Sequence, residues 1–134
     1  MKPFLLFALL LFSKLSYADG LDQLKIYINN QLVATVYEGN SQTLELPVSD
    51  GDTLKFVVWT DWGGMEESTI GIFDHGSSEQ LLLLNRTNNW EHKATFQQII
   101  HPDLMGSELS LVYNFSPKVN ISWKFARMIL KQTD

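Results

Sequence analysis

Between positions 59 and 67 the chain reads Trp-Thr-Asp-Trp-Gly-Gly-Met-Glu-Glu, where side chains suited to recognition crowd together. An indole offers a flat apolar face with one polar edge, which can stack on a sugar ring or anchor a protein partner. Carboxylates beside such a face accept hydrogen bonds from hydroxyls, and a Gly pair lets the backbone bend sharply. Trp59, Asp61, Trp62, Glu66 and Glu67 are therefore the expected partner-binding residues. Trp62 is the expected anchor, Trp59 its support, and the three acids a polar rim. The competing reading is structural, with Trp59 plugging one end of a core and the acids simply solvated.

Other chemistry finds less footing. The chain has no cysteine nucleophile, no Gly-x-Ser-x-Gly elbow and no phosphate-binding loop. Glu66 and Glu67 are adjacent, so on a strand they would point to opposite faces and could not flank one bond. His75, His92 and His101 lack the short spacings of a transition-metal motif. Asp50-Gly51-Asp52 offers two oxygen ligands where calcium takes about six to eight, and Asp61 falls beyond the far end of the following strand. The expectation is a binding protein with no metal, no cofactor and no catalytic residues.

The N-terminus sets the expected compartment. Met1-Lys2, an apolar run from Phe4 to Phe12 and the small residues Ser16 and Ala18 have the layout of a signal peptide cut before Asp19. That run falls well short of the roughly 20 residues a membrane helix needs, so no span is expected in the mature form. Removing residues 1–18 takes Lys2 and Lys14, leaving eight of the ten Lys and Arg against fifteen Asp and Glu, a net of about −7. So acidic a chain disfavours nucleic acid and anionic lipid as partners. The absence of cysteine excludes a disulfide framework, which points to the periplasm or exterior of a Gram-negative cell more than to a secreted eukaryotic domain. The partner expected is an envelope or extracellular protein, or else a glycan.

The elements that must position the 59–67 stretch are strands. Period-two alternation runs through the mature chain. Leu24, Ile26 and Ile28 share one face, with Lys25 and Tyr27 on the other. Asn29-Asn30-Gln31 tolerates positive φ and predicts a tight hairpin, after which Leu32, Ala34 and Val36 continue the apolar face. Leu44, Leu46 and Val48 follow. Beyond the Ser49–Asp52 turn, Leu54, Phe56 and Val58 face inward and Lys55, Val57 and Trp59 outward. Leu81 to Leu84 reads as a strand buried on both faces. Leu109, Leu111 and Tyr113 alternate strongly, as do Val119, Ile121, Trp123 and Phe125, whereas Arg127 breaks the pattern. Residues 122–131 also fit helical spacing, but strand is preferred.

About eight or nine short strands without a long amphipathic helix predict an all-β fold. The expected architecture is one antiparallel β-sandwich, Ig-like or jelly-roll-like, over residues 19–134. Loops at one end would engage the partner. A carbohydrate-binding module and a subunit pairing through a sheet edge are the alternatives.

Overall fold

The computed structural model describes residues 22–37, 42–60, 67–88, 92–114 and 122–133. They form two packed sheets. The nine strands are β1 (Gln23–Ile28), β2 (Gln31–Tyr37), β3 (Thr43–Val48), β4 (Thr53–Trp59), β5 (Thr69–Asp74), β6 (Gln80–Asn85), β7 (Lys93–Ile99), β8 (Glu108–Asn114) and β9 (Ser122–Gln132). Sheet I has the order β2-β1-β4-β7 and sheet II the order β3-β9-β8-β5-β6. This is the expected all-β sandwich. All pairs are antiparallel except β3 with β9, which run parallel from Thr43↔Arg127 to Val48↔Gln132.

The inward residues of both sheets bury one core. Leu24, Ile26, Leu54, Phe56, Val58 and Phe96 of sheet I meet Ile70, Ile72, Leu109, Leu111, Phe125 and Met128 of sheet II. Tyr113 lies edge-on to both Phe96 and Phe125, with ring centroids 6.1 Å apart in each pair. Alternation produces this core because successive side chains on a strand point to opposite faces.

The Asn29-Asn30 hairpin forms as its residue types require, with φ of 50° and 66°. Asn29 also ties two turns together: its Nδ2 donates to Asp52 Oδ1 at 2.9 Å, and its Oδ1 accepts from the Thr53 N–H at 2.9 Å. The Asn29 bond and the Ser49 backbone N–H hold the Asp52 carboxyl below the usual carboxylate range.

Three strand features depart from plain alternation, two of them for the same reason; the first and third correct expectations, and the second explains the expected break at Arg127. A register shift between Ile26 and Tyr27 leaves Val33 as an extra residue, so Leu32 pairs with Tyr27 on the outward face and is exposed. A second shift leaves Phe125 extra opposite Leu111 and Val112. The inward positions of β9 then pass from odd to even numbers, so Met128 and Leu130 are buried while Arg127 points outward. Residues 122–132 are strand, not helix. Third, Leu81–Leu84 is not buried on both faces. β6 is the edge of sheet II, and Leu83 is 51% exposed.

Candidate functional site

Trp59 is the last residue of β4, and its odd position sends it outward, where it is 39% exposed. It does not plug the core. Glu67 is exposed in the turn before β5, whereas Asp61, Trp62 and Glu66 lie outside the described residues. What the fold brings to Trp59 is a set of side chains from the other strands of sheet I.

Three cross-strand rows make up that outer face. Tyr37, Gln23, Trp59 and Lys93 stand in register across β2, β1, β4 and β7. The next outward row is Thr35, Lys25, Val57 and Thr95, and the third is Leu32, Tyr27, Lys55 and Gln97. Tyr37 is 50% exposed and accepts a hydrogen bond at 3.2 Å from Gln23 Nε2. Lys93 Nζ lies 5.0 Å from the centroid of the Trp59 ring, and Lys55 Nζ lies 4.8 Å from that of Tyr27. Lys55 also donates to Asn30 Oδ1 at 3.1 Å. Val57 points outward yet is only 5% exposed, so the longer side chains around it lie down across the sheet. The result is a platform with aromatic rings in its first and third rows and Lys25 between them.

Its charge is one-sided. The sequences of β1, β2, β4 and β7 contain Lys25, Lys55 and Lys93 and no Asp or Glu. The described carboxylates lie on connections or in sheet II, although the whole chain carries fifteen acidic residues.

The outer face of sheet II carries a concavity of about 540 Å³ lined by Phe73, Asp74, His75, Ser110, Lys124 and Arg127, among others. The Phe73 ring crosses the floor so closely that a Cβ at Gly71 would meet it at 2.5 Å. His75 Nδ1 and Ser110 Oγ are 2.8 Å apart, the separation of a base and a nucleophile. Among the described residues no carboxylate bonds the other His75 nitrogen, the partner that orients the ring in a catalytic triad. Both signs of charge line this concavity: Arg127 pairs with Glu108 at 3.5 Å, and Asp74 lies beside Lys124 and Arg127 in the lining. Hydrogen bonds from Ser77, side chain first, hold the Asp74 carboxyl below its ordinary range. Charge of both signs makes this face less selective than the platform.

The other two histidines are separate. His92 Nδ1 lies 3.1 Å from the Thr60 carbonyl oxygen, and His101 is exposed before the 3-10 turn at Pro102–Leu104. Among the described residues no group of three or more His, Asp or Glu is placed to hold a metal ion. Among the described residues no helix is long and apolar enough to cross a membrane.

Near the Trp59 end of the sandwich, Asp22, Thr60, Ser68 and Tyr113 are buried polar residues. Burial pushes the Tyr113 hydroxyl above its ordinary range; Ser68 and the Arg86 charge oppose this, and the Asp22 charge adds to it. A raised folded-state value means that the neutral phenol contributes stability below the unfolded value of about 10, which is lost as pH rises through the folded one. Alkaline titration followed by phenolate absorbance and circular dichroism should show Tyr113 ionising as the fold is lost. Tyr113→Phe should move that transition to higher pH; an unchanged transition would mean that Tyr113 does not drive it.

Sequence reasoning located Trp59 and its outward direction but missed Tyr27, Tyr37, Lys25, Lys55 and Lys93 as its companions. The available signal was the parity of the outward residues on β1 and β4. No protein-family model, curated protein or solved structure matches the chain.

Proposed function

We propose that the mature chain is an exported, non-enzymatic binding domain that holds a polysaccharide on the outer face of sheet I. The observation carrying this is the convergence of Trp59, Tyr37 and Tyr27 on one solvent face with Gln23, Thr35, Thr95 and Gln97 between and beside them. Rings supply stacking surface, and the amides and hydroxyls supply hydrogen bonds to sugar hydroxyls. Tyr37 and Trp59 are two strands apart, roughly 9.5 Å, and Tyr27 lies roughly 13 Å along β1 from their row. The Tyr37–Trp59 spacing suits alternate sugars of an extended chain, not adjacent ones. The three rows lie on a sheet face, which suits a polymer better than a small molecule needing enclosure. Asp61, Trp62 and Glu66, first expected to bind, follow Trp59 directly in sequence. A glycan array probed with the wild type and with Trp59→Ala tests the reading. Binding lost in the variant supports it, and equal binding by both refutes it.

A second reading has its own observation. Edge strand β6, Gln80–Asn85, carries no charge and no proline, and exposes Leu81 and Leu83. Unprotected edges of this kind pair with other strands. If the domain assembles through β6, sedimentation velocity should show oligomers that grow with concentration and vanish in Leu83→Lys. A monomer at all concentrations would exclude it.

A further inference from the structure

We infer that the polymer held on sheet I is acidic, a chain of uronate or sulfated sugars. This rests on the polysaccharide reading above and adds the charge of the ligand. Lys25 and Lys55 are diagonal neighbours across the β1–β4 pair, with Cβ atoms roughly 7 Å apart. Neither forms an ion pair among the described residues, and no strand of sheet I offers a carboxylate. Two like charges so placed repel each other, and an anion lying between them offsets both.

The aromatic residues are arranged to match. Lys25 is diagonal to Trp59 on one side and flanks Tyr27 along its own strand, so it stands between the two stacking positions. Lys55 lies over the Tyr27 ring and Lys93 over the Trp59 ring. At exposed sites such contacts are worth only about 0.5–1 kcal/mol, so an ammonium can swing from a ring to a sugar carboxylate at little cost. A sugar stacked on the uncovered ring then has its acidic group within reach of a lysine. A neutral polysaccharide would use the rings and leave the charges of Lys25 and Lys55 without a carboxylate partner among the described residues.

The acidic net charge of the chain makes the salt dependence distinctive. At about 0.01 M ionic strength the Debye length is about 30 Å, and a polyanion feels the whole acidic molecule. At about 0.15 M it is about 8 Å, so the lysines of the platform act alone, and at about 1 M they too are screened. Binding should therefore pass through a maximum at intermediate salt, unlike a basic protein, whose affinity for a polyanion falls steadily as salt rises.

Affinity electrophoresis of the purified protein through gels containing polygalacturonate, dextran sulfate, unmodified dextran, hydroxyethylcellulose or polyglutamate tests this. The expected result is retardation by polygalacturonate, dextran sulfate or both, and not by dextran, hydroxyethylcellulose or polyglutamate. Which of the two retards shows whether the preferred group is carboxylate or sulfate. Lys25→Gln and Lys55→Gln should each weaken retardation roughly two- to fivefold, as loss of an exposed ion pair would, and together roughly tenfold. Salt-independent retardation by the neutral polymers to the same degree would overturn the acidic assignment and leave the polysaccharide reading standing. Retardation by polyglutamate equal to that by polygalacturonate would overturn both, because charge without sugar rings would then suffice. No retardation in any gel would also overturn both.

Discussion

Phe96→Ala is expected to lower the free energy of unfolding by about 3–5 kcal/mol, the range found when a buried aromatic side chain is truncated. Phe96 is fully buried, pairs with Phe56 across β4 and β7, and lies edge-on to Tyr113 of sheet II. Its ring therefore holds the two sheets to each other, and neither sheet alone can close over the space it leaves. Domains of this size have only about 5–15 kcal/mol of stability in total. No disulfide reinforces this one, because the chain has no cysteine. A fall of roughly 10–20 °C in the melting temperature should follow. Urea unfolding checks it: the midpoint should drop while the slope stays near that of the wild type. A loss under about 1 kcal/mol would mean that the site collapses freely and that the aromatic cluster is not what joins the sheets.

Trp59→Ala should have the opposite profile, with little effect on stability and a large effect on binding. Its side chain is outward and at a strand end, so truncation opens no core cavity. Trp truncation at the centre of a contact surface commonly costs about 2 kcal/mol or more, roughly a thirtyfold loss of affinity. Trp59→Tyr should recover part of that loss, since a smaller ring still stacks. Calorimetric titration with an acidic oligosaccharide, alongside a melting curve, separates the two effects. Wild-type affinity in a fully folded Trp59→Ala protein would remove the platform from the site.

Much of the sandwich can be read along the chain because alternation is a local signal. Leu24, Ile26 and Ile28 point inward for the same reason that Lys25 and Tyr27 point outward, and the Asn29-Asn30 turn announces itself by residue type. What alternation does not carry is the inserted residue. Val33 and Phe125 each reverse the parity of their strand, and only the change from Phe125 to Met128 and Leu130 leaves a trace in the sequence. Strand order is equally hidden. Leu81–Leu84 has the composition of a central strand yet forms an edge, because its neighbours are decided by contacts far away in the chain. The platform fails to show for that reason too. Tyr37, Gln23, Trp59 and Lys93 span seventy positions of sequence and become one row only when β1 pairs with both β2 and β4, and β4 with β7. An outward Trp59 was legible from its own strand; the side chains around it were not.

The location of the ligand on sheet I is tested most directly by titrating the isotopically labelled protein with a galacturonate oligomer and following amide and indole N–H shifts. Changes concentrated at Gln23, Lys25, Tyr27, Tyr37, Lys55 and the Trp59 indole are the expected result. Changes confined to the His75–Arg127 concavity of sheet II, or to residues of the core alone, would contradict it.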